Sequence, residues 1–496
     1  MPESQLPVYI LASLFVGVLL VPALGLYRRT LAYPVALLSL LSYLFFATQG
    51  LAAVMESGAI SYSMAGWSPP KGIELRVDML SAFVVCVIAT ISVVVTVYAR
   101  VAVRREIPER EVPFYSVMLI MLSGLTGIAM TGDLFNLYVF LEISSLSGYG
   151  LMAIGHRKAV VSAYRYLLIG TVGASFYLIG IGYLYVLTGS LNMADVAGRI
   201  AELDANPALI VSVAFIFVGV GLKMALFPMH LWLPDAYTYA SSTATAIIAP
   251  VMTKVSAYVL IRMLFFIYDT ELVTEKLPVT AVLTWLGLLG VVVGSIMAIA
   301  QTDAKRMLAY SSVAQVAYIA IGVGLANPLA LIGAMLHILN HAAMKCCLFL
   351  VTGHVALQTH STRISAYTGL GRKMPWTFFA FTVSALAMVG IPPTNGFFSK
   401  WYLVRGGIDA GDWIAVGIIV ASGLLTAVYF FRLIVRIYST PPEGVVVLDG
   451  SDRPWSMSIP TVAVACSLIL LGLFNSWFVT EVLRKALPPT MHLSQF

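Results

Sequence analysis

Four lysines and one glutamate stand where water is scarce. Lys223, Lys254, Lys345, Lys400 and Glu142 each lie inside an apolar run long enough to cross a membrane. An ammonium at the bilayer centre costs ~2.5–3.5 kcal/mol even on the gentlest scale, so such groups usually face a polar path and pair with one another. An isolated buried carboxylate at Glu142 would be protonated at neutral pH. Pairing it with a lysine keeps both charged at lower cost. Lys223 and Lys254 bracket the stretch GVGLKMALFPMHLWLPDAYTYASSTATAIIAPVMTK, which also holds Pro228, His230, Pro234 and a polar turn that starts at Asp235. Pro392 and Pro393 interrupt a second span just before Lys400. A proline in a membrane helix is most often only a kink. Two breaks, each beside a lysine, point further, because irregular backbone persists at membrane depth only where it lines protein or water.

One more helix carries chemistry. In LALIGAMLHILNHAAMKCCLFLVTGH, His337, His341 and Lys345 fall at i, i+4 and i+8, on one face. The face reads either as a hydrogen-bonded structural one or as a proton relay, since histidine titrates near neutral pH. His-x3-His has metal-ligand spacing, but no third ligand is near, and a b-type haem would need histidines on facing helices. Neither metal nor cofactor is predicted. No phosphate-binding loop, Rossmann fingerprint, CxxC pair or nucleophile elbow occurs in a credible context.

The elements that must hold these groups are membrane helices. The chain has 496 residues, 60% of them hydrophobic and 10% charged, with mean hydropathy +0.92. This is the composition of an all-α polytopic membrane protein forming one transmembrane domain, 1–496. Apolar runs place fourteen spans near 7–26, 34–55, 78–99, 114–131, 133–154, 160–187, 207–233, 242–267, 279–300, 309–326, 328–353, 375–405, 412–438 and 456–480. The first run lacks a basic leader and a cleavage site and reads as a retained helix. Asp133 begins the helix of Glu142, and Asp78 begins another. The net charge of +6 and pI near 9.0 come from basic residues scattered singly between spans. That scatter reads as topology, not nucleic-acid binding. With the N-terminus outside, basic residues on the inner side, Lys305 among them, outnumber those on the outer, Arg262 among them, by about two to one, which favours both termini outside. Cys86, Cys346, Cys347 and Cys466 all lie in apolar stretches and read as inert core thiols. Broken helices at corresponding places five helices apart suggest two inverted repeats, 114–267 and 279–438.

Five motifs in this order, GDLFNLYVFLEI, GLKMALFPMHLWLPDA, KRMLAYSSVAQ, LNHAAMKCCLFLVTG and GIPPTNGFFSKWYL, carry a resemblance over roughly residues 110–410. Together they resemble the antiporter-like proton-channel subunits of complex I and of Mrp-type cation/proton antiporters. DLFNLYVFLE and WSPPKGIELRVDMLSA are similar to the D-type subunit of Mrp antiporters and to its relatives in membrane-bound hydrogenase-type complexes. The resemblance implies two inverted five-helix repeats and a lateral chain of charges along the midplane. It makes Glu142 the fifth-helix glutamate, Lys223 its seventh-helix partner and Lys254 the bridging lysine of the eighth helix. His337, His341 and Lys345 become the eleventh-helix relay and Lys400 the terminal lysine. One departure stands out: after LPDA the family usually has histidine and then Ala-Pro, where this chain has Tyr237 and Ala240-Ser241. The departure removes a titratable group from one proton inlet.

The implied activity is proton translocation in the plasma membrane of a prokaryote, with protons moved alone or coupled to sodium. The implied partners are other membrane subunits, similar antiporter-like chains among them. The settings include a Mrp antiporter, a hydrogen- or sulfur-metabolising complex and a respiratory dehydrogenase. Two rivals come from other classes. A quinone-binding redox subunit would need electron-carrying ligands that the sequence lacks, and an inert scaffold would need none of these costly buried groups.

Overall fold

The computed structural model describes residues 3–155, 157–268, 270–441 and 448–491. It is a bundle of long helices: α1 Leu6–Tyr27, α2 Ala32–Ser57, α3 Met79–Glu106, α4 Glu111–Met130, α5 Leu134–Ala153, α6 Arg157–Thr188, α7 Met193–Ala201, α8 Pro207–Met224, α9 Trp232–Tyr239, α10 Ser242–Arg262, α11 Val279–Ile299, α12 Ala304–Gly324, α13 Pro328–Thr359, α14 Pro375–Val389, α15 Asn395–Asp409, α16 Trp413–Tyr438 and α17 Trp455–Leu473. Among the described residues, twelve helical segments are long and apolar enough to cross a membrane. Two further predicted spans fall on helix that polar groups spoil: α5, diluted by Glu142 and three serines, and the broken pair α14/α15. Helix is thus found at all fourteen predicted spans, twelve of them long and apolar enough to cross a membrane, and α8 stops at Met224, short of the predicted end at 233.

The bundle has a dry centre and an oily rim. In α10, α12 and α13, 94% of the apolar window is buried, against 33% in α1, α2 and α16. Two of these three, α10 and α13, carry Lys254, His337, His341 and Lys345, so the costly groups lie where protein replaces lipid. Close helix approach uses small residues. A Cβ placed on Gly219 of α8 would come within 2.6 Å of the Gly173 carbonyl on α6. Several helices start on a side-chain cap: Asp78, Asp133, Asn206, Ser241, Asp303, Asn327 and Asp412 each accept a first-turn amide.

Two features were not predicted, and a third, the break in the 375–405 span, was. The link between α2 and α3 forms an antiparallel hairpin, β1 Ile60–Ser63 and β2 Glu74–Val77, with Ile60 opposite Val77. The link 188–206 contains the short amphipathic α7, capped by Asn192 and anchored by buried Val196 and Ile200. The span read as 375–405 is two half-helices separated by residues 390–394, and the second runs on to Asp409. Three corrections concern side chains. Cys466 is exposed on the rim, not a core thiol, while Cys346 and Cys347 are buried as read. Lys305, counted as an inner-loop charge, is 4% exposed. Arg262, counted on the outer side, is buried against Asp78.

Candidate functional site

The polar axis begins where α8 stops. Ala225 adopts a left-handed conformation at φ 60°, which ends the helix one residue after Met224 and leaves Lys223 in its last turn. The Trp232 indole N–H donates to the Leu222 carbonyl at 3.0 Å and satisfies part of the opened end. Lys223 Nζ donates to Ser145 Oγ at 2.7 Å and to the Tyr149 hydroxyl at 3.1 Å, both on α5. A cation there also meets the negative end of the helix dipole. Glu142 lies one turn before Ser145. It is half-buried, and its Oε1 is buried without a hydrogen-bond partner. No ion pair among the described residues involves Glu142 or any of the four membrane lysines. The expected direct Glu142–Lys223 pair is therefore replaced: Lys223 reaches a turn further along α5, where two neutral hydroxyls take its protons. A cavity of about 20 Å³ lies beside Lys223, Ser144, Ser145, Tyr166 and Ser256. That is room for about one water.

The middle of the axis is the driest. Lys254 on α10 is 1% exposed and donates to the Ala249 carbonyl at 2.7 Å, next to the in-helix Pro250, and to Thr253 Oγ1 at 3.3 Å. On α13, Lys345 donates to the Leu308 carbonyl at 2.7 Å and to Ser311 Oγ, both on α12. His341 has no partner on either ring nitrogen and stacks on His337 at 5.9 Å between centroids. His337 connects two helices, meeting Gln315 Oε1 at 3.0 Å and Ser399 Oγ at 2.9 Å.

The axis ends at the second break. Lys400, in the second turn of α15, reaches back to the Met388 and Val389 carbonyls of α14 at 2.9 and 3.0 Å. Its ammonium also lies 4.9 Å over the Tyr318 ring. Gly390 makes this approach possible: it has φ +92°, and a Cβ there would press on Lys400 Cδ at 3.1 Å.

The structure thus brings Glu142, Lys223, Lys254, His337, His341, Lys345 and Lys400 onto adjoining helices in the core. The secondary candidates separate from them. His230 sits in the α8–α9 break with Pro228, stacked on Phe227 at 5.5 Å, with Nδ1 unpartnered. Asp133 caps α5 by accepting the Asn136 amide at 2.7 Å. Asp235, next to Pro234 in α9, bridges Arg165 at 3.3 Å and Arg306 at 3.2 Å. These two acids hold helices in place. Pro392 and Pro393 lie between α14 and α15. The neutral partners Ser145, Tyr149, Ser311, Gln315, Tyr318 and Ser399 were missed. One signal was present: Glu142, Ser145 and Tyr149 fall at i, i+3 and i+7, on one face of α5. Among the described residues, no three His, Cys, Asp or Glu converge as a metal site would need.

Residues 131–426 match the family described as NADH:quinone oxidoreductase/Mrp antiporter, TM. The chain belongs to this family. It is 47% identical over 466 residues to the N-type subunit of NADH-quinone oxidoreductase from Desulforudis audaxviator, covering 89% of this chain and 93% of that one. It is 30% identical over 448 residues to the D-type subunit of the Na(+)/H(+) antiporter from Alkalihalophilus pseudofirmus, covering 89% of both. Among solved structures, a chain of the membrane-bound sulfane sulfur reductase, an archaeal respiratory membrane complex, superposes with TM-score 0.89 at 30% identity over 97% of both chains. The family resemblance read from the five motifs holds, and its members span redox-linked and antiporter complexes alike.

Proposed function

We propose that this chain is a proton-translocating, antiporter-like subunit of a multi-subunit membrane complex, and that Glu142, Lys223, Lys254, His341, His337, Lys345 and Lys400 form its conducting axis. The observation that carries the reading is that four core lysines are held by neutral carbonyls and hydroxyls and by no carboxylate within 4 Å. A lysine so held can release its proton without stranding a buried anion, which a tight buried ion pair would do. Glu142, one turn from the Lys223 site, supplies the charge whose screening or displacement biases that release. The coupling works in both directions, since each site shifts the other by the same free energy. Exchange against sodium is the second reading, favoured by the Alkalihalophilus relative, which is named as part of a Na(+)/H(+) antiporter.

The units 114–267 and 279–438 act as two inverted repeats in this proposal. A matched pair of backbone clips supports it. Asp133 bridges Asn192, with Leu134 N–H to Leu191 O at 2.8 Å and Met193 N–H to Gly132 O at 2.9 Å. Asp303 bridges Arg363 in the same pattern, with Ala304 N–H to Thr362 O at 2.8 Å and Ile364 N–H to Thr302 O at 2.9 Å. In each unit the aspartate capping the second helix clasps the chain that leaves the third. The setting proposed is the plasma membrane of a prokaryote, with both termini outside and similar antiporter-like chains alongside.

Proton and sodium transport by the intact complex in vesicles tests this, comparing wild type with Glu142→Gln and Lys223→Ala. Variants that assemble but lose transport support the axis. If both transport normally, the chain is a scaffold and the ion path belongs to another subunit.

A further inference from the structure

The far end of α13 carries a histidine that the axis does not use. His354 lies nine residues beyond Lys345, or ~13 Å of helix rise, and is 1% exposed. The only hydroxyl between them, on Thr352, is committed to the Leu348 and Phe349 carbonyls of its own helix. The ring is turned to the segment that links α16 to α17. Nε2 faces the Arg453 carbonyl at 3.4 Å, and Nδ1 faces Thr377 Oγ1, near the start of α14, at 3.3 Å. Behind Thr377 stands Asp452, 7% exposed. Its carboxylate accepts the Thr377 hydroxyl at 2.6 Å and the Trp376 and Thr377 amides at 3.1 and 3.0 Å. Asp452 thereby satisfies first-turn amides that α14 cannot bond itself. Among the described residues it has no cation within 4 Å.

This bonding pattern counts protons. A carbonyl oxygen only accepts, so Nε2 needs a hydrogen to bond Arg453. Thr377 has one hydroxyl hydrogen, and at 2.6 Å from a carboxylate that hydrogen belongs to Asp452. Toward the ring, the Thr377 oxygen can then only accept. Both ring bonds close only when both nitrogens carry hydrogen, which is the charged form of histidine. A neutral ring has one hydrogen. It leaves the Nδ1 lone pair against the Thr377 oxygen or draws the Thr377 hydroxyl away from Asp452. Either way one bond of the chain is lost, and the bond to the carboxylate is of the stronger kind.

The surrounding charges are few. Asp452 favours a second proton on the ring, while burial and Arg105 on α3 oppose it. Glu106 on α3 holds Thr243, Lys305 on α12 holds the Ala240 carbonyl, and Arg453 and His360 are exposed. Helices α14 and α17 carry no charged residue, and α10 has none before Lys254. Contacts of α15 are with the first half of α13, away from the ring.

We propose that His354, Thr377 and Asp452 form a proton-binding site separate from the axis, and that its proton latches the 448–455 segment to α13 and α14. A proton from water joins the ring, which then donates from both nitrogens, and the Thr377 hydroxyl keeps its hydrogen and points to Asp452. The ring gains one positive charge, set against the carboxylate across a single hydroxyl. The bound proton tightens the latch, so the latch loosens as pH rises through the titration of the ring. This inference stands apart from the transport reading and survives its failure.

Hydrogen–deuterium exchange of the intact complex, read by mass spectrometry on the peptide holding Trp376 and Thr377, tests it. Rates are corrected for the intrinsic effect of pH. In wild type, protection at about pH 5.5 should exceed that at about pH 8.5 at least tenfold. His354→Gln and Thr377→Val should both abolish the difference, the second while keeping the two amides on Asp452. Equal protection at both pH values in wild type overturns the proposal. So does the same pH dependence in His354→Gln, which would put the proton elsewhere. Weaker protection at the lower pH also overturns it, because the titrating group would then be the Asp452 carboxylate. Failure of both variants to assemble counts against it too, since a latch that is open at high pH is not needed for folding.

Discussion

Replacing Asp78 by asparagine isolates one buried charge. Arg262, near the end of the helix that carries Lys254, donates Nη1 to Asp78 Oδ2 at 2.6 Å and Nη2 to Oδ1 at 2.8 Å. The guanidinium also lies 4.5 Å over the Phe266 ring. Asp78 is at the same time the cap of α3, accepting the Ser81 amide at 2.9 Å. Asparagine caps as well as aspartate, so the cap term is close to zero and the measured change reports the charge alone. Removing one partner of a buried pair costs ~3–5 kcal/mol. Ser81 Oγ and the Tyr258 hydroxyl still accept from Arg262 at 3.1 Å, and a cavity of about 530 Å³ borders the pair. Those two features put the expected loss near the lower bound, ~3 kcal/mol. Denaturant titration in mixed micelles, followed by tryptophan fluorescence, measures it. The double variant Asp78→Asn/Arg262→Leu should recover most of the loss, because deleting both charges is often neutral. The pH dependence has a definite sign. Burial alone would raise the Asp78 carboxyl, but the Arg262 guanidinium and the bonds from Ser81 outweigh it and hold the carboxyl well below the usual carboxylate range. A carboxylate lowered in the folded state stabilises above its unfolded value of ~3.9 and loses that stabilisation as pH falls through the folded value. The gap between wild type and Asp78→Asn is therefore flat between roughly pH 8 and 5 and narrows below about 4. A loss under about 1 kcal/mol, the range of an exposed pair, would refute the reasoning.

The other expectations are simpler. Gly390→Ala forces a Cβ into φ +92° and against Lys400, so it should cost ~1–2 kcal/mol in backbone strain; transport should fall while assembly is kept, read in the vesicle assay. Asp235→Asn breaks two partly exposed pairs worth ~0–1 kcal/mol each, and transport should stay within about twofold of wild type. In the isolated chain in detergent, a maleimide should label Cys466 rapidly and leave Cys346 and Cys347 unreacted until the chain is denatured, as mass spectrometry would show.

The helical spans were legible because lipid tolerates few polar residues in sequence, and the candidate site because Lys223 and Lys400 beside proline breaks are too costly to be incidental. The contacts of those groups were not legible. Nothing in the chain marks Ser311 as the oxygen that holds Lys345, or Tyr318 as the ring beneath Lys400, since serine and tyrosine are unexceptional in a membrane helix. Arg262 was read as an outer charge because loop counting uses position alone, whereas its partner Asp78 stands 184 residues away. The same limit hid Lys305, whose burial depends on the Ala240 carbonyl 65 residues earlier. Pairing Glu142 with Lys223 was the natural minimum-cost guess, yet two hydroxyls on the glutamate's own helix take the lysine.

The bonds of Lys400 have a mechanical side. One ammonium, rooted in α15, is fastened to the last two carbonyls of α14, so a single nitrogen spans the break between two rods. Charged, it binds both oxygens and the negative end of the first rod's dipole; neutral, it has fewer hydrogens to donate and no charge to set against that dipole. On the proposed proton path, each protonation cycle at this atom would tighten and slacken a joint in the backbone. A neighbouring chain packed against either rod would feel the arrival of a proton as a change in stiffness.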